Sequence, residues 1–270
     1  MSQNTNLDDF VWMYKGKQTH TPKPDDLALI LPKEEKHVDK NPSALLMLHG
    51  FSSSPAVFRL LAPQLHKYDT IYIPQLAGHG TNIRDFEKST AQAWLNSGIE
   101  AYQHLAKNHQ TVDVLGLSLG GLIACHLAHQ FPINHLYLLA PALDLVSPIP
   151  LLLKLARTCR QFGFRFIRNV GGRVFASKEE ELLYRLLPLT TVIEILNFIQ
   201  NYQHQGWTHQ TTLFLGNQDN VVDSTSVVNK LTNCLNMKTI LLENSGHVLP
   251  LDADLDKIVA LMNHQPNRSH

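Results

Sequence analysis

A serine between two glycines is the residue of this chain whose setting most clearly predicts chemistry. The segment Gly116-Leu117-Ser118-Leu119-Gly120 matches G-x-S-x-G, and it lies between an apolar run and a stretch of helical composition. Chance predicts only about 0.04 such matches in a chain with 14 glycines. A sharp strand-to-helix turn exposes the serine hydroxyl and leaves no room for side chains at the flanking positions, a condition that glycine meets. We therefore predict that Ser118 is a nucleophile.

A serine hydroxyl at its free pKa is a weak nucleophile, so it needs a base and a group that orients the base. Two candidates follow later apolar runs: Asp219 comes after Thr211–Leu215, and His247 comes after Thr239–Leu242. In the chain order Ser, Asp, His, all three side chains would lie at one edge of a parallel sheet. We expect His247 to be the base and Asp219 to orient it.

Two other aspartates compete with Asp219 for the orienting role. Asp223 lies only four residues further on, where the next helix begins, and a capping role is more natural there. Asp144 follows the apolar run His135–Leu139, whose end faces the same edge of the sheet. We favour Asp219 and keep both alternatives open. A fourth aspartate, Asp252, is interpreted as the N-cap of the last helix.

The negative charge that develops on an attacked carbonyl oxygen needs two backbone N–H donors, which form an oxyanion hole. Leu119, directly after the serine, supplies one of them. Phe51 supplies the other, because Gly50 lets the chain turn after the run Ala44–Leu48. The ring of Phe51 would also line an acyl pocket, or alternatively pack in the core. We expect His49 to brace this loop by hydrogen bonds.

Short apolar runs alternate with segments of helical period, a pattern typical of an α/β fold with a mostly parallel sheet. The predicted strands are Ala44–Leu48, Thr70–Ile73, Val112–Leu117, His135–Leu139, Thr211–Leu215 and Thr239–Leu242. The predicted helices are Ala56–His66, Ala91–Asn108, Leu119–Gln130, Ser224–Asn233 and Leu255–Asn263.

Two regions interrupt this alternation. Residues 1–43 contain several prolines and the mixed-charge run Lys33–Lys40, which favours an N-terminal arm with an edge strand at Leu27–Leu31. Residues 142–209 are too long for an ordinary connection between strands. Their apolar stretches predict a small helical cap, inserted between the two parts of the α/β core, 44–141 and 210–270. These stretches are Ile149–Ala156, Leu182–Leu189 and Val192–Ile199.

Composition excludes several other classes of protein. The 23 basic and 23 acidic side chains cancel, so the chain lacks the overall field that nucleic-acid binders use. The three cysteines have no CxxC spacing and the 15 histidines are scattered, so we expect no metal, no cofactor and no disulfide framework. Met1 to Phe10 lacks a signal-peptide pattern, and no apolar run reaches the ~20 residues of a membrane span. We expect a soluble, cytoplasmic protein.

The first part of the inserted region is both basic and apolar. Between Leu145 and Lys178 it has no Asp or Glu, but it contains Lys154, Arg157, Arg160, Arg165, Arg168, Arg173 and Lys178. One interpretation is a solvated face over ordinary helix packing. The other is a surface whose basic side makes weak contact with anionic lipid or meets substrate head groups, while its apolar side covers the acyl chain above Ser118.

Five segments together resemble the α/β-hydrolase superfamily, most closely its bacterial carboxylesterase and monoacylglycerol lipase group. They are His49-Gly50-Phe51, Gly78-His79-Gly80, Gly116–Gly121, Gly216–Val222 and Ser245-Gly246-His247. The resemblance runs from about Leu45 to Leu261, and it departs at Ser52 and Ser53, where the family often has Thr and Gly. It implies an eight-stranded, mostly parallel sheet, a triad of Ser118, Asp219 and His247, and a lid or cap at Ala142–His209.

The resemblance also implies a serine esterase that cleaves small acyl esters, of short to medium chain length, or monoacylglycerols, through an acyl-enzyme on Ser118. A dehalogenase or epoxide hydrolase of this fold would carry aspartate at position 118. Thioesterases, peptidases, perhydrolases and carbon–carbon bond hydrolases use the same triad and remain alternatives. A receptor-like member that binds a ligand without turnover is an alternative from another class, and turnover of a simple ester distinguishes the two.

Overall fold

Strands and helices alternate through residues 5–36 and 43–264, which a computed structural model describes. The strands are β1 (Phe10–Tyr14), β2 (Lys17–Gln18), β3 (Lys33–Lys36), β4 (Ser43–Leu48), β5 (Thr70–Ile73), β6 (Thr111–Leu117), β7 (His135–Leu139), β8 (Phe166–Arg168), β9 (Glu181–Tyr184), β10 (Leu186–Pro188), β11 (Gln210–Gly216) and β12 (Met237–Leu242). The helices are α1 (Leu27–Ile30), α2 (Ile83–Lys88), α3 (Ala91–Ala106), α4 (Leu119–Ala128), α5 (Ile149–Gln161), α6 (Leu189–Asn201), α7 (Ser224–Lys230) and α8 (Leu255–Asn263).

The central sheet has seven strands in the described part of the chain, in the order β12-β11-β7-β6-β4-β5-β3. Every neighbouring pair is parallel except β3 and β5, which are antiparallel. The predicted α/β class with a mostly parallel sheet is therefore confirmed. The family resemblance implied eight strands, and the described residues supply seven.

Both faces of the sheet are buried, which explains the continuous apolar runs. All six residues of β4 are buried. Leu46 and Leu48 belong to the core cluster that contains α4, while Leu45 and Met47 belong to the cluster on the opposite face. Successive side chains of a strand point to opposite faces, so a strand covered on both sides needs apolar residues at every position.

The edge strand is not where the sequence placed it. Leu27–Ile30 forms the short helix α1, which buries Ile30, and the edge strand is β3. Its residues Lys33 and Glu35 are half-buried and alternate with exposed side chains. Charged side chains suit an edge because they discourage pairing with another chain. The rest of the mixed-charge run, 37–40, lies outside the described residues.

Two predicted helices are also wrong. Instead of a helix over Ala56–His66, the chain makes two separate 3-10 turns, Pro55–Phe58 and Ala62–Gln64. Pro63 lies in the second turn, and proline cannot donate the backbone hydrogen bond that a continuous helix would need there. Instead of a helix over Leu182–Leu189, the chain forms β9 and β10, and α6 begins only at Leu189.

The inserted region is therefore mixed rather than wholly helical, and the N-terminal arm packs with it. Strand β9 pairs antiparallel with β1, and β1 pairs with β2, so the arm and the insertion share a three-stranded sheet. The rings of Phe10 and Tyr184 stack across this sheet at 4.3 Å. In the part of the chain that the structure describes, no helix has the length and apolar character to cross a membrane.

Candidate active site

Ser118 occupies a strained turn between β6, which ends at Leu117, and α4, which begins at Leu119. Its φ of 53° and ψ of −113° lie in a region that residues with side chains rarely adopt. A Cβ on Gly116 would collide with the backbone of Gly120, so the first glycine of the motif is required by packing. The backbone N–H of Ser118 donates to the carbonyl of Leu139 in β7 at 3.0 Å, which anchors the turn on the sheet.

The structure brings Ser118, His247 and Asp219 together in one line of hydrogen bonds. Nε2 of His247 lies 3.0 Å from Oγ of Ser118, and Nδ1 lies 2.8 Å from Oδ2 of Asp219. An ionised carboxylate only accepts, so it favours the tautomer with hydrogen on Nδ1. Nε2 is then free to accept the serine proton. The arrangement can deprotonate a hydroxyl nucleophile, and the assigned roles stay predictions.

The electrostatics of the pair suit this geometry. Burial lowers the pKa of His247, but the charge of Asp219 and the hydrogen bond to it raise that pKa above its usual value. Burial raises the pKa of Asp219, but His247 and the backbone N–H groups of Val221 and Val222 lower it overall. These two N–H groups donate to Oδ1 of Asp219 at 2.8 and 3.0 Å.

Neither rival aspartate bonds to His247 in the described structure. Asp223 is the N-cap of α7, and its Oδ1 accepts from the N–H of Ser226 at 2.9 Å. Asp144 accepts from the hydroxyl of Ser226 at 2.6 Å and pairs with Nζ of Lys230 at 3.0 Å. Both therefore hold α7 in place.

Asp252 has a role that the sequence did not indicate. The N-cap of α8 is Asp254, so the prediction for Asp252 is wrong. The buried carboxylate of Asp252 accepts from the N–H of Gly246, directly before His247, at 2.8 Å. It also accepts from the N–H groups of Phe175 and Ala176 at 2.6 and 3.0 Å. Asp252 thus ties the histidine loop to the inserted region.

The two predicted oxyanion donors lie beside the serine. Leu119 is the first residue of α4, and the first N–H groups of a helix have no acceptor within it. A Cβ on Gly50 would lie 3.6 Å from Cβ of Ser118, which brings the following residue, Phe51, close to the nucleophile. Phe51 lines the cavity, and its ring packs against that of Phe86 with the centroids 5.3 Å apart, so packing of this side chain is confirmed and its acyl-pocket role stays a prediction.

The loop after Phe51 is braced from two directions. His49 is fully buried; its Nε2 accepts from the N–H of Leu76 at 3.2 Å, and its Nδ1 lies 3.0 Å from the carbonyl of Gly50. Ser52 has a strained φ of 59°. Its hydroxyl accepts from the side-chain amide of Asn169 at 3.0 Å, so the inserted region fixes the loop.

A cavity of about 240 Å³ opens at Ser118 and His247. Much of its wall is apolar, and it includes Leu117, Leu183, Leu187, Val221 and Val248. The segment from Asn169 to Arg173 and the carboxylate of Glu181 complete the wall.

The sequence did not indicate Asn169 or Glu181 as site residues, and it indicated Arg173 only as one of the basic residues of the inserted region. Glu181 is only 6% exposed; it accepts from the hydroxyl of Ser53 at 2.9 Å and from the N–H of Gly172 at 3.2 Å. The carbonyl of Arg173 accepts from the N–H of His247 at 2.9 Å. The available signal was the Gly171-Gly172 pair, which follows Asn169-Val170 and can mark a close backbone approach. The acidic run Glu179–Glu181 favours a solvent-exposed surface when only the sequence is considered, although Glu181 is in fact buried.

Metal-binding side chains do not cluster near this cavity or elsewhere in ranges 5–36 and 43–264. His, Cys, Asp and Glu residues in these ranges do not form a group of three or more that could hold a metal ion.

Residues 45–261 match the model of the alpha/beta hydrolase family, and the chain belongs to this family. It is similar to a thermostable monoacylglycerol lipase of Bacillus sp. (strain H-257), with 25% identity over 238 residues that cover 84% of this chain and 91% of the relative. It is also similar to a carboxylesterase of Bacillus subtilis (strain 168), with 23% identity over 225 residues that cover 80% and 88%.

The fold has close counterparts among solved structures. A chain described with LipS and LipT, two metagenome-derived lipolytic enzymes, superposes with a TM-score of 0.75 at 23% sequence identity. The superposition covers 88% of this chain and 98% of that one. The match supports the alpha/beta hydrolase fold of this chain.

Proposed function

We propose that the protein is a serine hydrolase that cleaves acyl esters, and monoacylglycerols in particular, through an acyl-enzyme on Ser118. The chain is a carboxylic ester hydrolase of the alpha/beta hydrolase family. The observation that carries the finer proposal is the continuous hydrogen-bonded line from Ser118 through His247 to Asp219, at 3.0 and 2.8 Å.

The first half of the reaction forms the acyl-enzyme. Oγ of Ser118 attacks the ester carbonyl carbon while its proton passes to Nε2 of His247. The carbonyl oxygen becomes an oxyanion, which the backbone N–H groups of Phe51 and Leu119 stabilise. The intermediate collapses, the bond to the alcohol breaks, and His247 gives its proton to the leaving alcohol.

The second half repeats the same steps with water. His247 takes a proton from water, the resulting hydroxide attacks the acyl carbonyl, and the bond to Oγ breaks as Ser118 recovers its proton. Asp219 stays ionised throughout and stabilises the imidazolium that forms twice in each cycle. Because only neutral His247 accepts a proton, kcat/KM should fall as the pH drops through the raised pKa of this residue.

The substrate class rests on the cavity and on the relatives. The apolar wall formed by Leu117, Leu183 and Val248 suits an acyl chain, since each buried methylene contributes about 0.8 kcal/mol. The similar monoacylglycerol lipase and carboxylesterase support ester substrates of this kind.

We also propose that the inserted region makes weak contact with anionic lipid. Around α5, apolar side chains are exposed: Leu151 by 61%, Leu155 by 59%, Phe162 by 79% and Phe164 by 61%. Basic residues of the same helix, Lys154, Arg157 and Arg160, lie between them. Val170 is also 50% exposed, and it lines the cavity. Apolar and basic side chains on one surface are what an anionic membrane surface attracts. The cytoplasmic location stays a prediction.

Release of fatty acid from a series of monoacylglycerols tests the function. We expect many turnovers by the wild type and loss of nearly all activity in Ser118→Ala, with an unchanged circular dichroism spectrum. Stoichiometric binding without turnover would contradict the proposal and favour a receptor-like protein. Equal activity in Ser118→Ala would contradict the assigned nucleophile.

A further inference from the structure

Arg173 is a cationic residue that lines the cavity at Ser118 and His247. Arg173 is half-buried, and its guanidinium packs over Gly16 in the turn between β1 and β2. A Cβ on Gly16 would lie 3.3 Å from Cζ of Arg173, so the absence of a side chain at position 16 leaves room for the guanidinium. The backbone of Arg173 is fixed as well, because its carbonyl accepts from the N–H of His247.

This guanidinium has no anionic partner among the described residues. Across 5–36 and 43–264, Arg173 enters no ion pair and its side chain makes no hydrogen bond. Other arginines do form ion pairs: Arg59 pairs with Glu179 and Arg165 pairs with Glu87, each at 2.8 Å.

Two carboxylates close to the reacting residues, Asp219 and Glu181, already bond to groups other than Arg173. Asp219 bonds to His247 and to two backbone N–H groups. Glu181 bonds to Ser53 and Gly172, and burial raises its pKa, which favours its neutral form.

The charge of Arg173 acts on the reaction centre. It lowers the pKa of His247, in opposition to the larger effect of Asp219, so the guanidinium lies within electrostatic reach of the imidazole. An anionic group of a substrate bound at Ser118 would therefore lie within reach of Arg173.

We propose that Arg173 binds an anionic oxygen group of the substrate, a carboxylate or a phosphate, and makes the enzyme prefer esters that carry one. This inference rests on the proposed ester hydrolysis at Ser118. Guanidinium is suited to the task, because its fork of N–H groups binds carboxylate and phosphate with two parallel, charge-assisted hydrogen bonds.

Two substrate pairs distinguish the sources of the anion. For a carboxylate on the acyl side, the pair is the p-nitrophenyl monoester of adipic acid and p-nitrophenyl hexanoate. For a phosphate on the alcohol side, the pair is 1-decanoylglycerol 3-phosphate and 1-decanoylglycerol. The measured quantity is the ratio of kcat/KM, anionic over neutral, in the wild type, in Arg173→Gln and in Arg173→Lys. Arg84→Gln is the matched control, because Arg84 is exposed and lies outside the cavity.

We expect Arg173→Gln to lower the ratio for at least one pair by about tenfold or more, since the variant loses charge-assisted hydrogen bonds to the anionic group. Arg173→Lys should retain part of the preference, Arg84→Gln all of it, and added salt should weaken it. Arg173→Gln should also move the acidic limb of the pH profile to higher pH, because loss of the positive charge raises the pKa of His247. A structural role alone would not move this limb.

An unchanged ratio in Arg173→Gln for both pairs would overturn the inference while leaving ester hydrolysis intact. If no ester is turned over, the proposed function fails, and binding then tests Arg173 separately. Calorimetry with Ser118→Ala and with Ser118→Ala/Arg173→Gln compares 1-decanoylglycerol 3-phosphate and adipate monomethyl ester with their neutral counterparts. We expect weaker binding of the anionic compound in the double variant, and equal binding would overturn the inference.

Discussion

Asp219 holds His247 through one carboxylate oxygen while two backbone N–H groups hold the other oxygen. Both oxygens are therefore fixed, and the side chain of Asp219 is not exposed at all. Asp144 makes comparable bonds to Ser226 and Lys230, at a distance from the histidine. The two aspartates differ in what they orient, and this difference can be measured.

Replacement of Asp219 by Asn should lower kcat by about three to four orders of magnitude, because the histidine loses the carboxylate that sets its tautomer. Asp144→Asn is the matched control, and we expect it to retain most of the activity while α7 is slightly destabilised. Steady-state kinetics and thermal unfolding of both variants check this. A damaging Asp144→Asn beside a benign Asp219→Asn would mean that the acid is misassigned.

Ser118, Asp219 and His247 could be predicted because each lies in the turn or loop that follows an apolar run. Parallel strands present their carboxyl ends at one edge, so chain order alone places Ser118, Asp219 and His247 together. Asn169 and Glu181 could not be predicted in this way. Their contacts with Ser52 and Ser53 join residues 117 and 128 positions apart, and they depend on how the insertion folds back over the sheet.

The inserted region holds two loops of the candidate site in place, in addition to lining the cavity. Its loop from Asn169 to Arg173 bonds to the oxyanion loop at Ser52 and to the histidine loop at His247. Movement of this loop would therefore disturb both the oxyanion donors and the base.

Asn169→Ala tests the support that the insertion gives to the oxyanion loop. Without the bond to its hydroxyl, Ser52 keeps its strained φ less firmly, so the N–H of Phe51 is less well aligned. We expect kcat to fall by about tenfold or more with little change in KM, since oxyanion contacts strengthen in the transition state. Asn197→Ala is the control, because Asn197 bonds only to Arg157 on the surface. A rise in KM alone would contradict this role for Asn169.

Helices α4 and α6 meet at a histidine whose ring nitrogen is left without a partner. The ring of His126 stacks on Phe198 at 4.9 Å, and its buried Nε2 bonds to no described residue. Burial, and to a lesser degree the charge of His129, lowers the pKa of His126 to about 4. Its neutral form is therefore the one that the fold tolerates.

His126→Phe should stabilise the fold by about 1 kcal/mol at pH 7, because it removes a buried group without a hydrogen bond. The folded pKa lies below the unfolded value, so the stability held by neutral His126 is present above pH 6.5 and is lost as the pH falls towards 4. Urea unfolding at several pH values should therefore give a flatter profile for the variant. The exposed His264→Phe serves as control, and a steeper profile in His126→Phe would contradict the account.

The elements that were predicted wrongly share a cause. Strand β9 exists because it pairs with β1, and the two are about 170 residues apart in the chain. Its apolar residues are consistent with either a strand or a helix when only the local pattern is read. The central strands were predictable because a sheet that is buried on both faces leaves continuous apolar runs.

The formal net charge of the chain is zero, but its charged residues are unevenly distributed, since residues 145–178 contain basic residues and no acidic ones. Along α5, the exposed basic residues Lys154, Arg157 and Arg160 alternate with exposed apolar side chains such as Leu151 and Leu155. A surface of this kind would bring the site to lipid substrates without a membrane span.

Charge reversal tests this surface. Arg157→Glu with Arg160→Glu should weaken sedimentation with anionic vesicles, and the loss should be largest at low salt, where screening is least. Lys107→Glu with Lys238→Glu is a control of equal charge at exposed positions away from the insertion. Equal losses of vesicle binding in both variants would mean that binding depends on the net charge of the protein and not on this surface. Failure of the wild type to bind at low ionic strength would leave the insertion as a cover of the acyl pocket only.

Trapping the covalent intermediate tests the proposed acyl-enzyme on Ser118 most directly. The protein is mixed with excess p-nitrophenyl hexanoate, quenched in acid within the first turnover, and examined by intact and peptide mass spectrometry. We expect one added hexanoyl group on the peptide that contains Ser118, and none in Ser118→Ala. We also expect a larger trapped fraction in Asp219→Asn if deacylation becomes the slower step. Turnover with no acyl group on Ser118, or with an acyl group on another residue, would contradict the proposal.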